Sequence, residues 1–87
     1  MISQNIVLSA PSGMHARPAG ELVKLVKSLA PTKITISNGI KTVNAASMLS
    51  ILSLGLKCGS SIEICADGES ESDALARVVE FIQSITE

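Results

Sequence analysis

Alternation of apolar and polar residues with a period of two predicts four short strands in this chain. In the first strand, Ile2, Ile6 and Leu8 share one face. Between the second and third strands, Asn38-Gly39 predicts a tight hairpin turn, because both residue types tolerate a positive φ. The other three strands are predicted at Lys33–Ser37, Ile40–Asn44 and Ser61–Ala66.

A period of 3.6 residues replaces this alternation in two longer segments and predicts amphipathic helices. The first begins near Ala16 and stops before Pro31, and the other starts after the Asp67-Gly68 turn. Ser70 and Asp73 resemble a capping box at the start of that second segment. The apolar stripes are Ala19, Leu22, Val23, Val26 and Leu29 in the first helix and Leu75, Val78, Val79, Ile82 and Ile85 in the last.

A third, shorter helix is predicted at Ser47–Leu54, with Gly55 placed just past its end. The predicted order of elements is therefore β-α-β-β-α-β-α. Both long helices must bury an apolar stripe, and the strands must bury one face. One antiparallel sheet with helices packed on one side, an α+β fold, satisfies both demands. The 87 residues are enough for one domain, residues 1–87, with no linker or internal repeat.

Composition narrows the function classes. The chain has one Phe and no Trp or Tyr, and its net charge is -1. Without a basic stripe or stacking aromatics, we expect no nucleic-acid partner. No apolar run is long enough for a bilayer, and the N-terminal residues lack the basic region of a signal peptide. We therefore expect a cytoplasmic protein with no membrane insertion.

The two cysteines, Cys58 and Cys65, do not have the spacing of a common zinc site, and the only histidine lies far from them in sequence. Free thiols in a reducing compartment are the simplest interpretation. We expect no metal and no cofactor.

The segment most suited to chemistry is Gly13–Ala19, where a loop enters the first helix. It contains the only histidine, His15. Pro18 fits the first helical turn, since its missing N–H removes no intrahelical bond. This places His15 at or near the N-cap. The backbone N–H groups of Ala16 and Arg17 are then expected beside the imidazole, at the positive end of the helix.

A guanidinium such as that of Arg17 suits phosphate oxygens. An imidazole with such neighbours can attack a phosphoryl group and then hold it. The alternatives are that His15 is an exposed residue without a role and that Pro18 only starts the helix. Ser12 is a possible further donor, although a role in the loop turn is an equally simple interpretation. The candidate phosphate-binding set is Ser12, Ala16, Arg17 and Pro18.

The chain contains no second histidine, no acidic residue close to His15 in sequence and no glycine-rich nucleotide loop. It is also too short to enclose a substrate pocket of ordinary size. Accepting and donating a group is therefore a better hypothesis than an enzyme with its own turnover.

The short helix carries more apolar residues than one narrow face can bury, so we expect some of them to be exposed as a docking surface. A well-buried core helix is the alternative. Ser47 can serve as its N-cap, and a phosphate there would also be tolerated by the helix end. The apolar residues are Met48, Leu49, Ile51, Leu52 and Leu54.

These residues resemble the HPr family, the histidine-containing phosphocarriers of the bacterial sugar phosphotransferase system. The active-site segment of that family is similar to Ala10–Ala19, and its second signature is similar to Ser47 with Ser53–Leu56 and Gly59. The similarity continues through Asp67–Glu69 and Ala74 and covers nearly the whole chain.

The resemblance implies an open-faced β-sandwich of four antiparallel strands with three helices on one side. It implies that His15 accepts phosphate on Nδ1 from enzyme I, which takes it from phosphoenolpyruvate, and donates it to the A domains of sugar-specific enzymes II. Arg17 would steady the phosphate, and Pro18 would shape the start of the helix.

The resemblance also implies partner docking through Met48, Leu49 and Leu52. It implies regulatory phosphorylation of Ser47 by an HPr kinase/phosphorylase, with a catabolite-control transcription factor as a further partner. A monomer suits a carrier that presents one face to several proteins. Two alternatives stay open: a paralogue that serves a regulatory branch, such as nitrogen control or dihydroxyacetone phosphorylation, and a binding module that acts only through Ser47 and the apolar helix.

Overall fold

The computed structural model describes residues 1–11 and 13–85. Within them the predicted order β-α-β-β-α-β-α is confirmed. The bounds are β1 Ile2–Val7, α1 Ala16–Ser28, β2 Lys33–Ser37, β3 Thr42–Asn44, α2 Met48–Leu52, β4 Ser61–Asp67 and α3 Glu71–Gln83.

The four strands form one antiparallel sheet in the order β1-β4-β2-β3. Ile6 pairs with Ile62 and Ile64 pairs with Ile36, so one face of the sheet is a continuous layer of buried isoleucines. On the other face most of the paired residues are polar, as for Asn5 opposite Glu63, although Val7 opposite Ser61 is apolar and exposed. The α+β open-faced sandwich is therefore confirmed.

The helices cover the isoleucine face with aliphatic side chains. From α1 the buried residues are Pro18, Ala19, Leu22 and Val26. From α3 they are Ala74, Leu75, Val78, Val79 and Ile82. Each large aliphatic side chain buried in this way contributes about 1.5–3 kcal/mol, so the two amphipathic stripes hold the layers together with a single aromatic residue, Phe81, packed against them. Neither α1 nor α3, at 13 residues each, nor any other helix within the described ranges could cross a bilayer.

The hairpin between β2 and β3 differs from the predicted tight turn. Ser37 pairs with Thr42, so four residues, 38–41, form the loop, and β3 begins at Thr42 rather than at Ile40. Gly39 has a φ of +91°, but Asn38 does not take up a positive φ. Its side-chain Oδ1 instead accepts hydrogen bonds from Ile40 N and Lys41 N, at 3.0 and 2.8 Å. One backbone bond, from Asn38 N to the Lys41 carbonyl at 3.2 Å, crosses the turn, but the Lys41 N–H is taken by the Asn38 side chain, so regular strand pairing starts only at Ser37 and Thr42.

The predicted capping box of α3 is also wrong. Ser70 lies at the N-cap, but its side chain makes no capping bond to the described residues. Its φ of −105° and ψ of 31° depart from the extended backbone that a capping residue usually adopts. Asp73 instead pairs with Arg77 one turn later, at 2.9 Å.

The short helix α2 is capped as predicted, although it ends at Leu52 rather than at Leu54. The Ser47 Oγ accepts a hydrogen bond from Ser50 N at 3.4 Å. Gly55 follows the helix with a φ of +62°.

Candidate functional site

His15 is the N-cap of α1, as the position of Pro18 predicted. Its backbone is extended, with φ −105° and ψ −173°, and its carbonyl accepts the first helical hydrogen bond from Ala19 N at 3.0 Å. The imidazole makes no capping bond within the described part of the chain, and the residue is half-buried. The imidazole ring therefore lies at the N-terminus of α1, but its nitrogens do not cap the backbone N–H groups of the helix.

The first three residues of α1 are Ala16, Arg17 and Pro18. Ala16 and Arg17 are exposed, and the ring of Pro18 is buried beneath them. Backbone N–H groups in this first turn have no intrahelical acceptor and form the positive end of the helix dipole. Such a helix end favours anions, and here it lies beside His15, with Arg17 two residues after the histidine. Ser12 lies outside the described residues.

The loop before His15 is fixed by a close backbone approach that sequence reasoning missed. Gly13 has a φ of +72°, and a Cβ at this position would lie 2.5 Å from the carbonyl oxygen of Leu56. Met14 N donates to that same oxygen at 3.1 Å, and the Met14 side chain is buried. A glycine in this motif is a signal for a positive φ, but the chain segment that approaches it is 43 residues away and carries no signal of the contact.

An apolar patch lies beside this site, on the exposed side of α2. Leu49 is 78% exposed and Met48 40% exposed, whereas Ile51 is completely buried. The Met48 sulfur lies 3.7 Å from the position that a Cβ would take on Gly20, so α2 packs against α1 one turn after the N-cap. Leu52 is half-buried and packs against the core. The prediction that the helix exposes apolar area is confirmed for Met48 and Leu49.

Cys58 and Cys65 are free, the first exposed and the second half-buried. Residues 1–11 and 13–85 contain no cluster of three or more His, Cys, Asp or Glu side chains that would hold a metal ion.

Comparison with known proteins decides the family. The model of the PTS HPr component phosphorylation site matches residues 2–84. The chain belongs to the HPr family. The general role of a phosphocarrier in the phosphotransferase system follows from this membership.

HPr relatives share the length and the fold of this chain. The phosphocarrier protein HPr of Borreliella burgdorferi is 34% identical over 87 residues, which is 100% of both chains. HPr-C-His from Thermoanaerobacter tengcongensis has a TM-score of 0.90 at 32% identity, over 97% of this chain and 93% of that one. Crh of Bacillus subtilis, described as a catabolite repression protein and a swapped-domain dimer, has a TM-score of 0.77 at 26% identity, over 100% and 99% of the two chains.

Proposed function

We propose that this HPr-family chain, acting as a single cytoplasmic domain over residues 1–87, carries a phosphoryl group on Nδ1 of His15. It takes the group from phosphorylated enzyme I, which is charged by phosphoenolpyruvate, and passes it to the A domains of enzymes II for sugar uptake. The observation that carries the proposal is the position of His15 at the N-cap of α1, next to the exposed Ala16 and Arg17.

On this chain, we assign the transfer to the groups at this helix end. The neutral imidazole attacks phosphorus, the Nδ1–P bond forms, and the bond from phosphorus to enzyme I breaks. Backbone N–H groups of the first turn and the Arg17 guanidinium stabilise the charge on the phosphoryl oxygens. Donation to the acceptor protein reverses these steps. The chain is then regenerated unchanged, so we expect a stoichiometric carrier that turns over no substrate alone and uses no cofactor.

Docking of the partners is assigned to the apolar patch beside His15. Met48 and Leu49 present exposed apolar area there, and Leu52 supports it from a half-buried position. A protein that covers this patch would bring its own phosphoryl site to the N-cap of α1. Enzyme I and the enzyme II A domains would in this way use the same face in turn, which suits a monomer.

Ser47 is assigned a regulatory role. It caps α2 at the border of the apolar patch, where a phosphate would be accepted by the helix end and would add charge to the docking face. An HPr kinase/phosphorylase would add this phosphate, and a catabolite-control transcription factor would bind the product. The likeness to Crh, whose description refers to catabolite repression, favours such a regulatory branch as the second candidate function.

The carrier function is tested with enzyme I and labelled phosphoenolpyruvate. We expect label on the protein that is labile to acid and stable to base, as phosphohistidine is, and no label on His15→Ala. Ser47→Ala is the matched control and should be labelled like the wild type. Label that persists in His15→Ala would contradict the assignment.

The same labelling experiment, followed by transfer to acceptor proteins, distinguishes a general carrier from a regulatory paralogue and from a binding module. Transfer to purified enzyme II A domains supports the general carrier, whereas transfer only to a non-sugar partner supports a regulatory paralogue. No label on the protein in the presence of an active enzyme I would indicate either a paralogous system with another donor or a binding module that acts through Ser47 and α2.

A further inference from the structure

We propose that Asn38 is a positioning residue for His15, which it supports from the hairpin loop 38–41. The inference rests on the proposed phosphoryl transfer at His15 and adds a residue outside the active-site segment.

The side chain of Asn38 uses both of its ends. Its Oδ1 accepts from Ile40 N and Lys41 N and fixes the shape of the loop. Its Nδ2 reaches across to the carbonyl of Leu54, 16 residues further along the chain, and donates a hydrogen bond at 3.3 Å. The residue is partly buried, which protects this bond from water.

A second bond joins the same two segments. The Lys41 Nζ donates to the Ser53 Oγ at 3.1 Å, and the Ser53 Oγ in turn donates to Ser50 O at 2.6 Å. The hairpin loop is therefore tied to the segment Ser53–Lys57 at two consecutive residues. We call Ser53–Lys57 the support segment.

The support segment is the one that holds the loop before His15. Its Leu56 carbonyl accepts the hydrogen bond from Met14 N, and Gly13 packs directly against the same peptide. Leu54 and Leu56 lie two residues apart in this segment and both side chains are buried in the core, where close packing leaves little room for one to shift alone. Met14 directly precedes His15. Asn38 thus acts on the imidazole through Leu54, Leu56 and Met14.

Such a residue should matter more for rate than for folding. A single hydrogen bond at 3.3 Å near the surface adds little to stability, but a displacement of about 1 Å at a reacting group can slow a reaction by up to roughly 100-fold. We therefore expect the loss of the Asn38 donor to lower the kcat of enzyme I with this protein as its substrate and to leave the KM of enzyme I for this protein unchanged.

The decisive variant is Asn38→Asp, which keeps the acceptor oxygen for the hairpin and loses the donor to Leu54. The matched control is Asn44→Asp, because the Asn44 Oδ1 accepts from Ala46 N at 2.9 Å and an aspartate can do the same. Both variants change the charge by one unit. We expect kcat to fall about fivefold to tenfold in Asn38→Asp only, with faster hydrogen exchange at Met14 N and a shifted His15 ring signal in NMR spectra.

A charge effect is separated from positioning by Asn38→Ala and by salt. Asn38→Ala removes the donor to Leu54 and the acceptor of the loop without adding charge, and it should also be slow. The defect of Asn38→Asp should persist at high ionic strength, where surface charges are screened. If Asn38→Ala transfers phosphate at the wild-type rate, or if the defect of Asn38→Asp disappears in salt, the positioning role is wrong.

The wild-type protein separates this proposal from the one it rests on. A wild type that takes no label on His15 overturns the carrier function itself. A labelled wild type with equally fast Asn38→Asp and Asn38→Ala overturns only the role of Asn38.

Discussion

At the scale of single residues, the site depends on backbone conformations that few side chains allow. His15 is extended where it enters α1, and Gly13 takes a φ of +72° two residues earlier. The positive φ alone favours glycine, but the contact with Leu56 makes the requirement stronger, because no Cβ fits 2.5 Å from a backbone oxygen. Glycine is therefore required at position 13 both by the local positive φ and by the close approach of the Leu56 carbonyl.

Replacement of Gly13 by Ala should lower the free energy of unfolding by about 2–5 kcal/mol, since left-handed strain and overpacking add together. Gly55→Ala is the control, because Gly55 has a similar φ of +62° and nothing within 4 Å of an added Cβ. It should cost only about 1–2 kcal/mol. Urea denaturation of the two variants measures the difference, and equal losses would show that the Leu56 contact contributes nothing.

At the scale of elements, α2 divides its apolar residues between two tasks. Ile51 is fully buried and belongs to the core, whereas Leu49 is mostly exposed on the side that faces away from it. A helix of five residues has too few turns to stand alone, so its position comes from the buried residue, from the Ser47 cap and from contact with α1. The exposed residue is available for the docking role proposed for the apolar patch.

Leu49→Gln and Ile51→Ala should therefore change different quantities: the first the binding to enzyme I, the second the stability of the fold. We expect Leu49→Gln to change the free energy of unfolding by less than about 0.5 kcal/mol and to raise the KM of enzyme I for this protein about fivefold to tenfold. We expect Ile51→Ala to cost about 2–5 kcal/mol of stability. Urea denaturation and initial transfer rates measure both quantities. An unchanged KM in Leu49→Gln would remove Leu49 from the docking surface.

At the scale of the whole molecule, an ion pair joins the start of the chain to the last helix. The Met1 ammonium lies 2.8 Å from the Glu71 carboxylate and 3.9 Å from that of Asp67. The hydrogen bond to Glu71 raises the pKa of the ammonium above 8.0, and the same bond lowers the pKa of Glu71 below 4.5. The sheet edge at β1 and the first turn of α3 are in this way linked across the fold.

This pair predicts how stability depends on pH. The raised pKa of Met1 means that its contribution is complete below pH 8.0 and is lost as the pH rises through the folded value. The lowered pKa of Glu71 means that its contribution is present above pH 4.5 and is lost as the pH falls through the folded value. Stability from this pair should therefore be constant between these limits.

Glu71→Gln should flatten most of the fall in the urea midpoint between about pH 7 and about pH 10, because the nearer partner of the ammonium is then neutral and only Asp67, at 3.9 Å, stays charged. Glu80→Gln removes an exposed carboxylate from the same helix and should leave the fall unchanged. If both variants retain the wild-type fall, the ion pair does not contribute in solution.

Most of the fold and the centre of the site could be predicted from local sequence. The periods of the apolar residues determined the order of strands and helices, because burial of one face follows from spacing along the chain. His15, Arg17 and Pro18 determined the helix entry in the same way, since a proline in the first turn fixes where the N-cap lies.

Contacts between distant segments were decided by tertiary structure alone. Asn38-Gly39 predicted a tight turn, yet the Asn38 side chain closes a longer loop and bonds to Leu54, which no local pattern encodes. The approach of Gly13 to Leu56 and the division of α2 between core and surface depend on where other elements pack. Local propensities act over a few residues, whereas these contacts arise only when the layers come together.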